Sequence, residues 1–212
     1  MIDEEKISIA IVKRLPRYYR YLGDLLDHGI TRISSNELSK RMNVTASQIR
    51  QDLIKFGKFG QRGYGYNVGL LYDEIKSILG LDKEYKMIII GAGNLGQALA
   101  NYSSFAKRGF KFIGMFDKDP SLVGQSIGGC TINGIDTLDA FLKENKVDIA
   151  VLALPKENAT QVSPILVKNG VKGIWNFSHV DLNTPDNVVV QNEHLTDSVM
   201  ILSYKLSELE DN

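Results

Sequence analysis

The 212-residue sequence lacks several features that would at once assign a protein to a class. Its 1 cysteine, Cys130, excludes an internal disulfide and is typical of a reducing compartment. Its 3 histidines, His28, His179 and His194, stand far apart, so we expect no bound metal. No apolar run approaches the ~20 residues of a membrane span, and the acidic start MIDEEKISIA lacks the order of a secretion signal. These absences favour a cytoplasmic protein that contacts neither a membrane nor a metal.

The sequence also lacks net charge, with 25 basic and 25 acidic side chains, but the charge is unevenly distributed. Residues 13–66 contain 11 lysines and arginines against 4 acidic residues, whereas residues 67–212 contain 13 against 18. A basic first segment joined to an acidic remainder indicates that only the first segment meets a polyanion such as DNA. The alternative is an ordinary solvated basic face.

The most informative stretch runs from Lys86 to Asp117. An apolar run, Met87–Ile90, leads directly into the sequence GAGNLG, residues 91–96, and a second apolar run, Phe110–Phe116, ends at Asp117. The order strand, glycine turn, helix, strand and acid is typical of dinucleotide binding. The glycines permit the turn, the approach of a pyrophosphate and close packing of helix against strand, while the helix N-terminus receives the negative charge.

Asp117 would accept hydrogen bonds from an adenosine ribose, which favours NAD over its 2′-phosphorylated relative. The alternative is a nucleotide fold that has lost its ligand.

The first 80 residues predict a helix-turn-helix. A helix is expected over Ile7–Gly29, with a kink or break at Pro16, and Arg14 lies on a polar side of it, where it could contact DNA. Two capping boxes follow, Ser34 to Glu37 and Thr45 to Gln48, with room only for a tight turn between the two helices.

On the second helix of this motif, Ile49, Leu53 and Phe56 share the inner face, at spacings of four and three residues. The outer face therefore carries polar side chains that suit a DNA major groove, because glutamine can pair with adenine and arginine or lysine with guanine or phosphate. These residues are Ser47, Gln48, Arg50, Gln51 and Lys55. A purely structural helical hairpin is the alternative.

Residues 56–66 alternate glycine, aromatic and basic side chains and predict a β-hairpin, the wing of a winged helix. Lys58 and Arg62 would lie at its tip, within reach of a phosphate or a narrow minor groove. A further helix is expected over Leu70–Leu79, followed by a charged linker at residues 82–84.

Beyond Asp117, helices and strands continue to alternate, which predicts a Rossmann-type doubly wound parallel sheet in an α/β protein. Helices are expected at 136–145 and 158–169, and strands at 149–154, 171–177 and 188–190. A ligand should lie across the strand ends at Gly91, Asp117 and Pro155. The predicted domains are therefore 1–80 (winged helix) and 85–192 (dinucleotide binding), with a C-terminal helix over 193–212.

That final helix carries an apolar seam, formed by Leu195, Val199, Leu202, Leu206 and Leu209. Two apolar residues per seven are typical of helices that pack against another helix. We expect the seam to insert into a second subunit, giving a homodimer. Packing of the seam against its own domain is the alternative.

The chain resembles the Rex family of redox-sensing bacterial repressors over nearly its whole length. The most specific segments are KRLPRYYRYL, QIRQDLIKFGKFGQRGYGYNV, GAGNLGQAL and GIWNFSHVDL. The resemblance implies a repressor that senses the NADH/NAD+ ratio, binds operator DNA with an inverted repeat as a homodimer, and is released when NADH binds. It also implies a C-terminal helix that crosses to the other subunit.

The same resemblance implies which residues bind the dinucleotide. They are Gly91, Ala92, Gly93, Asn94, Leu95, Gly96, Asp117, Lys118, Leu154 and Pro155, with Tyr102 on the helix after the glycines and near the nicotinamide. Two positions depart from the family. Gln51 replaces a basic residue, and His194 replaces an aspartate, with Asp197 one turn later, so any acid–arginine latch to the first helix would be rewired.

Two other functions remain open from the residues alone. An NAD-dependent dehydrogenase would need a substrate pocket and a proton donor, for which His179 is the one candidate. Only 57 residues follow Pro155, and they complete the sheet and the tail, so we expect no enzyme. A regulator that senses coenzyme A or another nucleotide would share the phosphate-binding features.

Overall fold

The computed structural model of the chain describes residues 7–54, 60–61 and 64–210. Contacts divide this part of the chain into two compact units that meet in the sequence between residues 83 and 84. Helices of the first unit are α1 (Ile9–Val12), α2 (Leu15–Asp27), α3 (Ser35–Met42), α4 (Ala46–Ile54) and α5 (Val68–Ile78). Its strands are β1 (Arg32–Ile33), β2 (Gly60–Gln61) and β3 (Gly65–Asn67). No described helix has the length and apolar character needed to cross a membrane.

The predicted break in the first helix is confirmed. α1 ends at Val12, and Pro16 stands in the first turn of α2. Proline is tolerated there because the first N–H groups of a helix have no partner within the helix. Leu15, Tyr18, Leu22 and Leu25 are fully or almost fully buried, so the predicted apolar stripe of α2 faces the core of the unit.

The helix-turn-helix forms between α3 and α4. Ser34 and Glu37 complete the predicted capping box, and Asn43 makes the turn with a left-handed φ of 50°. The second box forms only in part. The Gln48 N–H donates to Thr45 Oγ1 over 3.1 Å, but the Gln48 side chain donates to Asp52 instead of returning to Thr45. The prediction of a second full capping box was therefore wrong, because a buried carboxylate attracts the amide more strongly.

The wing is a three-stranded antiparallel sheet in the order β1-β3-β2. β3 pairs Asn67 with Arg32 on one side and Tyr66 with Gly60 on the other. Asn67 then caps α5, since its side chain accepts from the Leu70 N–H over 3.0 Å. Phe56 and the predicted basic tip residues, Lys58 and Arg62, lie outside the described residues.

The second unit is built on a seven-stranded sheet. Its strands are β4 (Tyr85–Ile90), β5 (Phe110–Asp117), β6 (Ser126–Ile127), β7 (Cys130–Gly134), β8 (Ile149–Leu152), β9 (Gly173–Asn176) and β10 (Val189–Asn192). Their order is β10-β9-β8-β4-β5-β7-β6, and every pairing is parallel except that of β6 with β7. The helices are α6 (Asn94–Ala100), α7 (Leu138–Glu144), α8 (Lys156–Lys168) and α9 (Asp197–Glu210).

Strand β4 shows why the sheet is covered on both faces. Ile88 and Ile90 belong to one buried cluster, whereas Met87 and Ile89 belong to another. Successive strand residues point to opposite faces of a sheet, so an unbroken apolar run requires a core on each side. The predicted doubly wound fold is confirmed, although the short β6–β7 hairpin was not anticipated.

Candidate functional site

The glycine turn between β4 and α6 has the geometry that its sequence predicts. Gly91 adopts φ +102°, and a Cβ there would overlap the Ala153 carbonyl oxygen. A Cβ on Gly96 would overlap the carbonyl oxygen of Gly91, so the glycine lets α6 pack directly on the turn. Gly93 differs, because a Cβ there would meet no atom within 4 Å. The backbone at Gly93 therefore faces open space at the N-terminus of α6.

A cavity of about 280 Å³ lies at the carboxyl ends of β4, β5 and β8. Of the residues predicted to bind the cofactor, it is lined by Gly91, Gly93, Asp117, Lys118, Leu154 and Pro155. This is where the switch-point rule places a ligand in a doubly wound sheet. The wall is largely apolar, formed by residues such as Ile90, Phe116 and Ile135, and it also includes polar residues such as Asp117 and Lys118.

Asp117, the last residue of β5, is hydrogen-bonded to the glycine turn. Its Oδ2 accepts a hydrogen bond from the Ala92 N–H over 2.6 Å, and its Oδ1 accepts from the Asp119 N–H over 2.9 Å. The carboxylate is thus fixed at the pocket wall, beside the turn that would carry a pyrophosphate. Removing it would leave the Ala92 N–H without this acceptor as well as remove a negative charge from the wall.

The remaining predicted cofactor residues are not among those that line the pocket. Ala92 is buried beneath the turn, and Asn94, Leu95 and Gly96 form the first turn of α6. Tyr102 lies beyond the end of α6 at Ala100, so its predicted place on that helix was wrong. Its ring is 60% exposed and packs edge-on against Phe105.

Sequence reasoning missed several residues of the pocket wall. They are Ile90, Phe116, Ile135, Ala153, Asn158, Gln161 and Val162. Asn158 and Gln161 are the ones that bring polar side chains, and both belong to α8, which begins directly after Pro155. The available signal was the position of α8, since the first turns of a helix that follows a switch-point strand face the ligand.

The predicted DNA-reading face of α4 is exposed. Ile49 and Leu53 are buried against the first unit, which turns Ser47, Arg50 and Gln51 outward. Arg50 Nη1 lies 3.1 Å from Ser35 Oγ, to which it donates. Gln48 is half-buried, and Lys55, the last predicted residue of this helix face, lies outside the described residues.

Beneath that face lies a buried ion pair that the sequence interpretation did not include. The Asp52 side chain is 1% exposed and accepts from Arg14 Nε over 2.8 Å and from Arg14 Nη2 over 2.6 Å. Arg14 was predicted to contact DNA from a polar side of the first helix. In the structure its guanidinium donates to Asp52 of α4, and the Arg14 side chain is 33% exposed. The signal was Asp52 itself, which follows Ile49 by three residues and so shares its inner face.

Two further donors complete the surroundings of this carboxylate. Tyr18 donates its hydroxyl to Asp52 Oδ2 over 3.0 Å, and Gln48 donates Nε2 to Oδ1 over 2.8 Å. Burial raises the pKa of Asp52, but the hydrogen bonds from Arg14, Gln48 and Tyr18 outweigh it, so the pKa lies below its ordinary value. Burial, with Asp52 nearby, raises the pKa of Tyr18.

The C-terminal helix α9 exposes apolar side chains on more than the predicted seam. Val199, Leu202, Leu206 and Leu209 are each more than half exposed, and so are Met200, Ile201 and Tyr204 on other faces. Leu195 precedes the helix, which begins at Asp197. A helix that is apolar around most of its circumference is typical of a buried environment.

His194 and His179 contact each other between β9 and α9. Their Nδ1 atoms lie 2.8 Å apart and their rings stack with centroids 5.0 Å apart. His179, the candidate proton donor of a dehydrogenase, is not among the residues that line the pocket. Within the described ranges, no three His, Cys, Asp or Glu side chains form a group that could hold a metal.

Two family models match the chain. A model described as "CoA binding domain" matches residues 82–180, and one described as "Putative DNA-binding protein N-terminus" matches residues 6–53. The DNA-binding match lies within the first compact unit, and the coenzyme A match covers residues 84–180 of the second.

Curated relatives match nearly the whole chain. The redox-sensing transcriptional repressor Rex of Caldicellulosiruptor saccharolyticus is 56% identical over 208 residues, which are 98% of this chain and 95% of the relative. Rex of Clostridioides difficile is 52% identical, covering 98% of this chain and 99% of that protein.

Two solved structures agree with these relatives. The crystal structure of RSP in complex with NAD+ and operator DNA matches at a TM-score of 0.88 and 54% identity, covering 96% of this chain and 94% of that one. The complex of RSP with NADH matches at 0.88 and 52%, covering 97% and 96%. RSP is described as a Rex-family repressor. This chain therefore belongs to the Rex family of redox-sensing transcriptional repressors.

Proposed function

We propose that this protein is a transcriptional repressor that senses the NADH/NAD+ ratio in the cytoplasm. It binds operator DNA as a homodimer and is released when NADH binds. The observation that carries the proposal is the presence of two separate binding surfaces in one chain, the exposed face of α4 and the cavity beside the glycine turn. A family of regulators, rather than of enzymes, contains both surfaces.

The dinucleotide would lie along the carboxyl ends of β4, β5 and β8. Gly91 to Gly96 and the start of α6 would hold the pyrophosphate, because the N-terminus of α6 and open space meet at Gly93. Asp117 would accept from the adenosine ribose, with Lys118 beside it. Leu154 and Pro155, at the end of β8, would approach the nicotinamide half, and Tyr102 would reach it from beyond α6.

Operator DNA would meet the first unit. Ser47, Gln48, Arg50 and Gln51 of α4 would reach base edges in the major groove, and Lys55, Lys58 and Arg62 would add phosphate or minor-groove contacts. An inverted repeat with half-sites on one face of the duplex suits a two-fold symmetric dimer. The apolar α9 would supply the dimer contact, since its exposed side chains need a partner surface.

A second ligand is favoured by one specific observation, the match of residues 82–180 to a "CoA binding domain". Coenzyme A also carries a pyrophosphate, which the glycine turn would accept, but it has no nicotinamide. Asp117 argues against it, because coenzyme A carries a 3′-phosphate on the ribose that this carboxylate would face.

The test is retention of an inverted-repeat duplex by the full-length protein during titration with NADH, NAD+ or coenzyme A. The protein should prefer the repeat over random duplex at moderate salt, and NADH should release it at the lowest concentration. Release by coenzyme A alone would mean that the protein senses coenzyme A and not the NADH/NAD+ ratio. Absence of any preference between the repeat and random duplex would contradict a repressor of either kind.

A further inference from the structure

We propose that Asp52 is a positioning residue for base recognition, fixing the orientation of the Gln48 amide on the DNA-reading helix. The inference rests on the proposed function, because it assigns a specificity role within the proposed DNA-binding surface. Asp52 would not touch DNA itself. It would act through Gln48, which lies one turn earlier on α4.

The Asp52 carboxylate accepts four hydrogen bonds within the protein. Oδ1 accepts from Arg14 Nη2 and Gln48 Nε2, and Oδ2 accepts from Arg14 Nε and the Tyr18 hydroxyl, at distances of 2.6 to 3.0 Å. A carboxylate has about four lone-pair directions, so all of its acceptor positions are used. The group is 1% exposed. The carboxylate therefore binds only side chains of its own unit and has no free acceptor position for a ligand.

The NH₂ end of the Gln48 amide faces inward, toward Asp52. An ionised carboxylate only accepts hydrogen bonds, so the amide must turn its NH₂ group toward Asp52 and its Oε1 away. Ionisation is ensured by the adjacent Arg14 guanidinium, which donates two parallel hydrogen bonds. The amide orientation of Gln48 is thus set by charge.

The Gln48 amide keeps one donor and one acceptor for a ligand. One N–H of Nε2 is used, which leaves the second N–H and Oε1 of Gln48 for a ligand. One donor beside one acceptor matches adenine, whose N7 accepts and whose N6 amino group donates in the major groove. The reversed amide would turn its oxygen inward and offer only donors. Two donors match guanine, whose N7 and O6 both accept.

The arrangement around Asp52 is rigid. Tyr18 is fully buried on α2, and Arg14 stands at the start of the same helix, so both donors come from outside α4. They hold the carboxylate in place while Gln48, which is half-buried, keeps its outer atoms accessible. A glutamine ordered before binding loses less side-chain entropy when it meets a base.

The test compares Asp52→Asn, Gln48→Ala and the double variant in the full-length protein. An inverted repeat is first selected by the wild-type protein from a randomised duplex pool. Affinity is then measured for duplexes that change one base pair at a time. Failure of the wild type to select any repeat would reject the proposed function, and is distinguishable from every outcome that concerns Asp52.

We expect Gln48→Ala to lose discrimination for adenine at one base pair of each half-site, by roughly 5- to 150-fold. The side-chain amide introduced by Asp52→Asn can donate to Gln48 Oε1 and so permit the reversed amide, which should move the preference at that same base pair toward guanine. In the Gln48→Ala background, Asp52→Asn should change no base preference. A uniform loss of affinity for all duplexes with an unchanged ranking would overturn the proposal.

Tyr72→Phe is the matched control. It removes the hydrogen bond from the Tyr72 hydroxyl of α5 to the Tyr19 hydroxyl of α2 and none of those to Asp52, so the melting temperature should fall while the base ranking is kept.

A second measurement does not depend on whether Asp52→Asn folds. In the wild-type protein, nuclear magnetic resonance should show one Gln48 side-chain amide proton that exchanges slowly with water, assigned by its absence in Gln48→Ala. If both protons exchange at the rate of a free amide, the hydrogen bond from Gln48 to Asp52 does not form in solution.

Discussion

Substitutions at two glycines of the turn should affect different properties, stability at one and cofactor binding at the other. A Cβ at Gly96 overlaps the Gly91 carbonyl oxygen, whereas a Cβ at Gly93 meets open space. We therefore predict that Gly93→Val folds with a melting temperature close to that of the wild type but binds no NADH, because the side chain occupies the place of the pyrophosphate.

The matched variant, Gly96→Ala, should lower stability by roughly 1–3 kcal/mol, since backbone of α6 and the turn must separate. Thermal unfolding followed with calorimetric titration distinguishes the two effects. A Gly93→Val protein that binds NADH with wild-type affinity would mean that the pyrophosphate lies elsewhere.

At the same scale, we predict that Asp117 sets the preference for NADH over NADPH. Asp117→Ala removes the proposed ribose acceptor and the negative charge that would repel a 2′-phosphate. NADH should bind more weakly, and the ratio of NADH to NADPH affinity should fall, as measured by fluorescence titration. Asp117→Asn is the control, because it keeps the size of the side chain and an acceptor oxygen for the Ala92 N–H. If both variants keep the wild-type ratio, Asp117 does not face the ribose.

At the scale of elements, α4 should carry specificity in its exposed side chains. Arg50→Ala or Gln51→Ala should each weaken binding to the selected repeat by roughly 1–3 kcal/mol, with a smaller effect on random duplex. Ser77→Ala, an exposed residue of α5 that is not predicted to contact DNA, is a control that should leave both affinities unchanged. Equal losses of affinity for the repeat and for random duplex would indicate that the two side chains contact phosphates and not bases.

The C-terminal helix gives the second prediction at this scale. Leu202→Glu together with Leu206→Glu should abolish the dimer, measured by sedimentation, because charges would replace exposed apolar side chains on the seam. Ser207→Glu introduces the same charge at about 140° around the helix from Leu202 and should keep the dimer. A dimer that survives the double variant would assign the interface to another surface.

The elements also show what the sequence could predict. Periodicity placed the doubly wound sheet, and the capping residues Ser34 and Glu37 placed α3, because both depend on local chemistry. The β6–β7 hairpin was missed because its strands, of 2 and 5 residues, are too short for a clear apolar period, although Gly128 and Gly129 form the two-residue turn between them. The position of Asp52 on the inner face of α4 could be predicted, but its pairing with Arg14, 38 residues away, could not, because no local pattern specifies the partner.

For the whole molecule, the decisive property is coupling between the dinucleotide pocket and the DNA-reading surface. A ligand shifts an equilibrium between two shapes only by its differential affinity for them. If NADH releases the operator, NADH must bind the DNA-free shape more tightly. Linkage then requires that operator DNA weaken NADH binding by the same factor.

The most direct test is therefore the NADH dissociation constant of the full-length dimer, measured with and without saturating operator duplex. We predict that the operator raises this constant by the factor by which saturating NADH raises the operator dissociation constant, whereas a random duplex of equal length leaves it unchanged. An NADH affinity that is identical with and without the operator would contradict a redox-sensing repressor.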